Sequence, residues 1–465
     1  MHAGLHWFIT PQRFDVLFDS VYNSLTDNSP KEQFFLKLKY CMASLKHGHD
    51  GIWSEDLQNG LNYKMGVLPK NRKHLPLIIT YLDQRLFVLN NCSSNTNLIN
   101  GSEILSINGI STKQLSQEFS NYLFSNGRNT NFKYKQLDFY FQFQYLLQAL
   151  HPSESYSLEI IPFGKKKKEI MVIDTELPQT IVDNYKKNTG NHLDTWGDLL
   201  SYKLLDEKEK LGYLKIETFS PWRVKKDTLT YENLLSKIFL EIKKDNIKNL
   251  IVDVRNNEGG DDTWQLTTSY FRAIPKGSQS GLPYLQSDKY TQIKYIVKND
   301  ENKDLLALFD ANPYAMIDKT KEGKYKLKSV YTEHDTNEKP LMPNAYSGKV
   351  YLLQNGLTFS AGFAFAAKLK ELIQKDSGYI KIIGEDNGDD MDAGVGSGGW
   401  SLTVKLPNSN IHVNIPITGG GLDTPYSTKP VKFLDYKVIP TISDKINGVD
   451  TEVEFVKKLL KTNKI

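Results

Sequence analysis

The sequence predicts a multidomain α/β protein, and three patterns predict it. The first is a strand–helix–strand unit. Gly212 to Phe219 is extended and apolar, Tyr231, Leu234, Leu235, Ile238, Phe239 and Ile242 recur at helical spacing, and Leu250-Ile-Val-Asp-Val254 is a continuous apolar run. Such a run suits a strand covered on both faces of a parallel sheet. The second is a strand–turn–helix joint: Val350 to Leu353 as a strand, Asn355-Gly356 as a turn and Ala361 to Ile373 as a helix rich in small residues. The third is a change of period after about Leu75, where Pro76 to Leu89 reads as a hairpin.

In chain order, Phe14, Leu17, Phe18, Val21, Tyr22 and Leu25 predict a first helix. Ser29-Pro-Lys-Glu32 has the pattern of a capping box with Pro30 at the first helical position, predicting a second helix through Leu45. Lys46-His47-Gly48-His49-Asp50 follows directly. The hairpin region then carries Asn100-Gly-Ser-Glu-Ile-Leu-Ser-Ile-Asn-Gly-Ile-Ser111, an aromatic-rich stretch from 117 to 150, and Lys165 to Lys168 as a solvated hairpin tip after Pro162-Phe-Gly. Three units are expected: a helical region 1–70, a β-rich domain 71–178 and a core 179–465. The polar stretch 275–345 reads as an insertion over the site, and Gly394 to Gly399 as a mobile loop.

Composition narrows the function. The chain has 465 residues, enough for two or three domains, and 39% hydrophobic with 11% aromatic residues fits ordered globular structure. A net charge of +4 is too small to imply nucleic acid. No apolar run reaches the roughly 18 residues of a membrane span, and the first residues do not form a secretory signal. Cys41 and Cys92 allow one disulfide or none.

The strand–turn–helix joint delivers Ser360 to a helix start, where free backbone N–H groups and the helix dipole would stabilise an oxyanion on a carbonyl that the serine attacks. The geometry is that of a nucleophile elbow without its full Gly-x-Ser-x-Gly pattern. Serine is also a favoured N-cap, so the joint alone leaves both roles open. About a hundred residues earlier, Asn249-Leu-Ile-Val-Asp-Val-Arg-Asn-Asn-Glu-Gly259-Gly260 ends a second strand in glycines that permit close backbone approach, or that simply make a turn. Two such loops at the carboxyl ends of buried parallel strands imply one site.

These blocks, together with Ile382-Ile-Gly-Glu-Asp-Asn-Gly388, resemble in order and spacing the serine peptidases that include the carboxyl-terminal processing (tail-specific) proteases and the tricorn core protease. The resemblance implies a crotonase-like catalytic core, peptidase activity on peptides or unfolded proteins without a metal or organic cofactor, Ser360 as nucleophile, and an oxyanion hole from the N–H groups of Ala361 and the Gly259-Gly260 loop. The 100–111 string looks like the Gly-x-x-Ile-Leu-x-Ile-Asn-Gly string of PDZ domains, which capture extended peptides by strand addition.

Two catalytic designs exist in that family. Where the processing proteases carry a lysine base, this chain has Gly384-Glu-Asp-Asn-Gly-Asp-Asp390, without the lysine. The tricorn-like design takes a histidine from the N-terminal region, and His49 aligns with it, suited by a typical pKa near 6.5 to act as general base and then general acid. The other readings of His49 are a surface histidine at a helix C-terminus or half of a metal pair with His47. For the orienting acid, Glu385 is favoured over Asp423. His2-Ala-Gly-Leu-His resembles a string well inside extracytoplasmic bacterial members, implying an extracytoplasmic location. Two other functions fit the same residues: a catalytically silent peptide-binding protein, and an esterase or amidase.

Overall fold

The computed structural model describes residues 5–6, 8–61, 65–193, 198–224, 229–275, 284–285, 295–298, 317–319, 325–327, 338–389, 401–416 and 433–462. Asp423, Asp390, Gly394 to Gly399 and most of the expected insertion 275–345 lie outside them.

The chain begins with α1 (Pro11–Asn23) and α2 (Lys31–Ala43). The capping box expected at Ser29 does not form. Pro30 is the N-cap, the Ser29 hydroxyl oxygen accepts from the Thr26 N–H at 2.9 Å, and Glu32 pairs with Arg72 instead of reaching back to the backbone. A three-residue strand, β1 (Gly51–Trp53), follows the His47–His49 loop.

The hairpin region builds a six-stranded sheet from β2 (Leu77–Leu82), β3 (Arg85–Asn91), β4 (Glu103–Ile107), β5 (Ile110–Ser111), β6 (Ser155–Ile161) and β7 (Glu169–Asp174), with order β2-β3-β4-β6-β7 and β5 on β4. Its pairs are antiparallel. Asp83 and Gln84 both take positive φ, the twist that a two-residue hairpin turn needs, and Asn108 and Gly109 do the same between β4 and β5. The aromatic stretch after 111 is helical: α3 (Thr112–Ser120), α4 (Asn131–Phe139) and α5 (Gln142–Leu150). Leu115, Phe119, Leu137, Phe143, Leu146 and Leu147 are buried against the sheet, and the same core takes in Phe35 and Leu36 of α2 and, from α6 (Pro178–Thr189), Ile181. α2 and the β-rich sheet are therefore packed as one body.

The remaining chain forms a six-stranded sheet in the order β18-β15-β14-β10-β9-β8. Its members are β8 (Leu200–Asp206), β9 (Leu211–Ile216), β10 (Asn249–Asp253), β14 (Lys349–Gln354), β15 (Ile380–Gly384) and β18 (Tyr436–Lys437). All neighbours are parallel except the hairpin β8–β9. Both faces are covered, as the continuous apolar runs require. Leu250, Val252, Val350 and Leu352 pack under α7 (Tyr231–Lys244) and the Ala361–Lys375 helix, while Ile251, Tyr351 and Leu353 face Val453, Val456 and Leu460 of the C-terminal Thr451–Thr462 helix. α8 (Thr263–Ser269) follows β10, and a small antiparallel sheet of β11 (Tyr284–Leu285), β12 (Ile317–Lys319) and β13 (Tyr325–Leu327) lies within 275–345. β1 joins β17 (His412–Pro416) and β16 (Ser401–Lys405) in a third sheet. Cys41 and Cys92 are both buried and free. Among the described residues no helix is long and apolar enough to cross a membrane.

At the end of β10, Arg255 ties the sheet to the C-terminal helix. Its guanidinium donates to Asp253 at 2.7 Å and Asp450 at 2.7 Å and lies 3.1 Å from Glu452. Burial pushes the Glu452 carboxyl up, and Arg255 partly opposes this. Arg255→Met is expected to cost about 3–5 kcal/mol of unfolding free energy at neutral pH, because it leaves two buried carboxylates without their cation. Without Arg255 the Glu452 carboxyl rises further in the folded state, so the loss should shrink as pH falls and Glu452 takes up a proton. Urea denaturation at two pH values checks both the size and the sign.

Candidate active site

The site lies beyond the carboxyl ends of β10 and β14, adjacent strands in register from Asn249 opposite Lys349 to Asp253 opposite Leu353. The loops that leave them are stitched together. The Asn256 N–H donates to Asn355 Oδ1 at 3.0 Å, Asn355 Nδ2 returns a bond to Asn256 Oδ1 at 2.8 Å, and the Thr358 hydroxyl donates to the Val254 carbonyl at 2.8 Å. Asn257 is fully buried. Its carbonyl accepts from the Phe359 N–H at 3.0 Å, and its side chain donates to the Ile216 carbonyl at 2.9 Å. Polar groups buried this deeply cost free energy unless paired, so the asparagine string specifies one arrangement of the two loops.

That arrangement forces Ser360 into φ 52°, ψ −124°, a conformation unusual for a side chain with a Cβ. Ser360 stands at the N-cap position, but its hydroxyl makes no capping bond. Instead Ser360 Oγ lies 3.0 Å from His49 Nε2. This is hydrogen-bond distance between a hydroxyl and an imidazole nitrogen.

His49 is presented by the loop between α2 and β1. Asn414 of β17 donates to its carbonyl at 3.0 Å, the Gly48 N–H donates to Asn126 Oδ1 at 2.6 Å, and its ring packs 4.9 Å from Phe359, which itself stacks on Phe132 at 4.5 Å. A Cβ on Gly48 would lie 2.6 Å from the Phe359 ring, so a larger residue there would push the loop away from the serine. His47, the other half of the metal reading, is fully buried, and among the described residues no group of His, Cys, Asp and Glu is placed to hold a metal ion.

Of the three residues expected to supply oxyanion donors, Gly259 directs its N–H to Asn257 Oδ1 at 2.8 Å. A Cβ on Gly259 would lie 2.8 Å from the Ala361 nitrogen and 3.0 Å from Ser360 Cβ, so the glycine brings the two loops into contact. Gly260 bridges Phe219 in parallel fashion through its neighbours: the Phe219 N–H donates to the Gly259 carbonyl at 2.9 Å and the Asp261 N–H to the Phe219 carbonyl at 3.0 Å. In such a bridge the Gly260 N–H points away from Phe219. Gly260 and Ala361, the first residue of its helix, are the other two residues of that expectation.

Glu385 forms an ion pair with Lys135 of α4 at 3.1 Å. Burial opposes the Lys135 charge, but Asp138 and Glu385 outweigh it and hold the lysine's pKa above its ordinary value. The favoured orienting acid is thus engaged by a cation, and Asp423 is outside the described residues. The structure brings in two residues that the sequence reading did not assign. Asp389 Oδ2 accepts from the Ser360 backbone N–H at 3.2 Å, and Asp389 Oδ1 accepts from Asn126 Nδ2 at 2.6 Å. Asp389 stood out in the sequence only as part of the stretch lacking the lysine, and Asn126 carried no signal at all.

The family model for Peptidase family S41 matches residues 210–392. The matched segment resembles a family S41 peptidase domain. It spans β9, both stitched loops, Ser360 and Asp389, and the family is one of serine-type peptidases. His49 and the β-rich sheet fall outside the matched span. Over nearly the whole length the chain resembles mature CPAF, at 16% identity and a TM-score of 0.57 over 96% of this chain and 90% of that one. Mature CPAF complexed with lactacystin is also 16% identical, with a TM-score of 0.58 over 99% of this chain and 94% of that one. The likeness shows a shared multidomain α/β fold. No protein of curated function matches the chain in sequence.

Gly259→Ala is expected to lower stability by about 1–3 kcal/mol, since φ 105° disfavours alanine and the new Cβ meets backbone that cannot yield. Calorimetry checks this, and a parental melting temperature would mean that the serine joint tolerates the extra atom.

Proposed function

We propose that the chain hydrolyses peptide bonds through an acyl-enzyme on Ser360, with His49 as its base. The observation that carries this reading is the 3.0 Å contact between His49 Nε2 and the hydroxyl of a serine held in a strained backbone conformation. In the reaction, His49 Nε2 accepts the Oγ proton as Oγ bonds to the carbonyl carbon of the scissile peptide. The oxyanion that forms is stabilised by the N–H groups of Ala361 and Gly260 at the positive end of the helix. His49 then returns the proton to the leaving amine nitrogen as the C–N bond breaks. Water, deprotonated by the same nitrogen, attacks the ester carbonyl, and the acid is released as the C–Oγ bond breaks and His49 returns the proton to Ser360 Oγ. Two of the three lysines on the serine's own helix support a histidine base by their engagements elsewhere: Lys368 with Glu371 at 2.8 Å and Lys370 with the Phe433 carbonyl at 2.6 Å. Glu385 being held by Lys135, Asp423 is the other acid for the orienting role.

The substrate class in this reading is a peptide or an unfolded protein, met outside the cytoplasm by analogy with the bacterial members that the N-terminal string resembles. The β-rich sheet would be a PDZ-like module that captures extended chain. Its support is the 100–111 string folding as β4, a left-handed Asn108-Gly109 turn and β5. The alternative of a silent binding protein gives no reason to keep a serine strained against a histidine.

Ser360→Ala and His49→Ala should each lower kcat/KM on a casein-like substrate by at least roughly a thousandfold, with the double variant little worse, because nucleophile and base act as one unit. Parental turnover by His49→Ala would remove the histidine base, and turnover by Ser360→Ala would remove the nucleophile. Faster turnover of acyl esters than of any peptide would favour the esterase reading.

A further inference from the structure

We propose that Asn126 is a positioning residue for this reaction, setting the distance between His49 and Ser360 through its side-chain amide. The inference rests on the peptidase reading above. Asn126 lies between α3 and α4, in the body formed by the β-rich sheet, and is fully buried. Its Oδ1 accepts from the Gly48 N–H at 2.6 Å and its Nδ2 donates to Asp389 Oδ1 at 2.6 Å, while Asp389 Oδ2 accepts from the Ser360 N–H at 3.2 Å. Three hydrogen bonds in series therefore join the backbone just before the histidine to the backbone of the serine itself.

The orientation of the amide follows from its partners. A backbone N–H only donates and a carboxylate, when ionised, only accepts, so the side chain between them must offer one acceptor and one donor at fixed separation. Neighbouring bonds brace it. The Gly127 N–H donates to the Lys46 carbonyl at 2.9 Å, and Asn129 Nδ2 donates to the carbonyls of Asn387 at 2.9 Å and Asp389 at 2.7 Å. The short segment 126–129 thus grips the histidine loop on one side and the loop after β15 on the other. A displacement of about 1 Å between base and nucleophile is enough to cost on the order of a hundredfold in rate.

Asn126→Asp is nearly isosteric and puts a second carboxylate against Asp389. The two share one proton, and its pKa is raised because the second charge has nowhere to spread. The bridge holds while that proton is bound and breaks as pH rises through the shared pKa. Activity of the parental chain should rise through the histidine pKa and persist above it, whereas Asn126→Asp should gain a descending alkaline limb, in kcat and with KM near parental. Asn126→Ala should lose about ten- to a hundredfold in kcat at every pH. An Asn126→Asp profile of parental shape, or a loss uniform in pH, would overturn the positioning role while leaving the peptidase reading in place. Absence of turnover by the parental chain itself would overturn both.

Discussion

The contact between His49 and Ser360 joins side chains 311 positions apart, and the arrangement of the rest of the molecule bears on keeping it. Neither residue sits within a helix or strand interior. The serine occupies the joint between β14 and the helix that begins at Ala361, and the histidine occupies the loop between α2 and β1. Holding two such groups at hydrogen-bond distance requires that three bodies of structure agree: the parallel sheet, the β-rich sheet with its helices, and the small β1-β17-β16 sheet.

Each body supplies a polar restraint. From the parallel sheet come the Asn256–Asn355 and Thr358–Val254 bonds that fuse the two strand-end loops. From the small sheet, Asn414 donates to the His49 carbonyl. The β-rich body contributes Asn126, Asn129 and Phe132, the last stacking on the Phe359 ring that lies against His49. Asparagine recurs because its side chain both donates and accepts at short reach, which is what backbone groups at loop ends leave unsatisfied. The strain at Ser360 is sustained by these neighbours, in keeping with strained conformations persisting only where surroundings over-determine them.

The parts legible in the sequence were those carried by periodicity or by a turn. Leu250 to Val254 read as a strand buried on both faces, Val350 to Leu353 as a strand and Tyr231 to Ile242 as an amphipathic helix, and the hairpin read over Pro76 to Leu89 forms as β2 and β3 around Asp83 and Gln84. The Ser29 capping box failed because a local motif competes with tertiary partners: Arg72, forty residues on, takes Glu32, and Thr26 takes the serine hydroxyl. The helices α3 to α5 were obscured by aromatic residues that suit either structure until a sheet is present to bury Phe119, Phe143 and Leu146. Ser360 and His49 were singled out by the family resemblance more than by their local settings, and the structure places their side chains 3.0 Å apart. Asn126 and the pairing of Glu385 with Lys135 were not, since both depend on segments more than seventy residues away.

The central claim is that Ser360 is a nucleophile activated by His49. Reaction of the folded chain with a fluorophosphonate, followed by mass spectrometry of the digested adduct, tests it most directly. The account predicts a single adduct on Ser360 that forms at neutral pH and is nearly abolished in His49→Ala. An unlabelled Ser360, or one that labels as fast without His49, would contradict it.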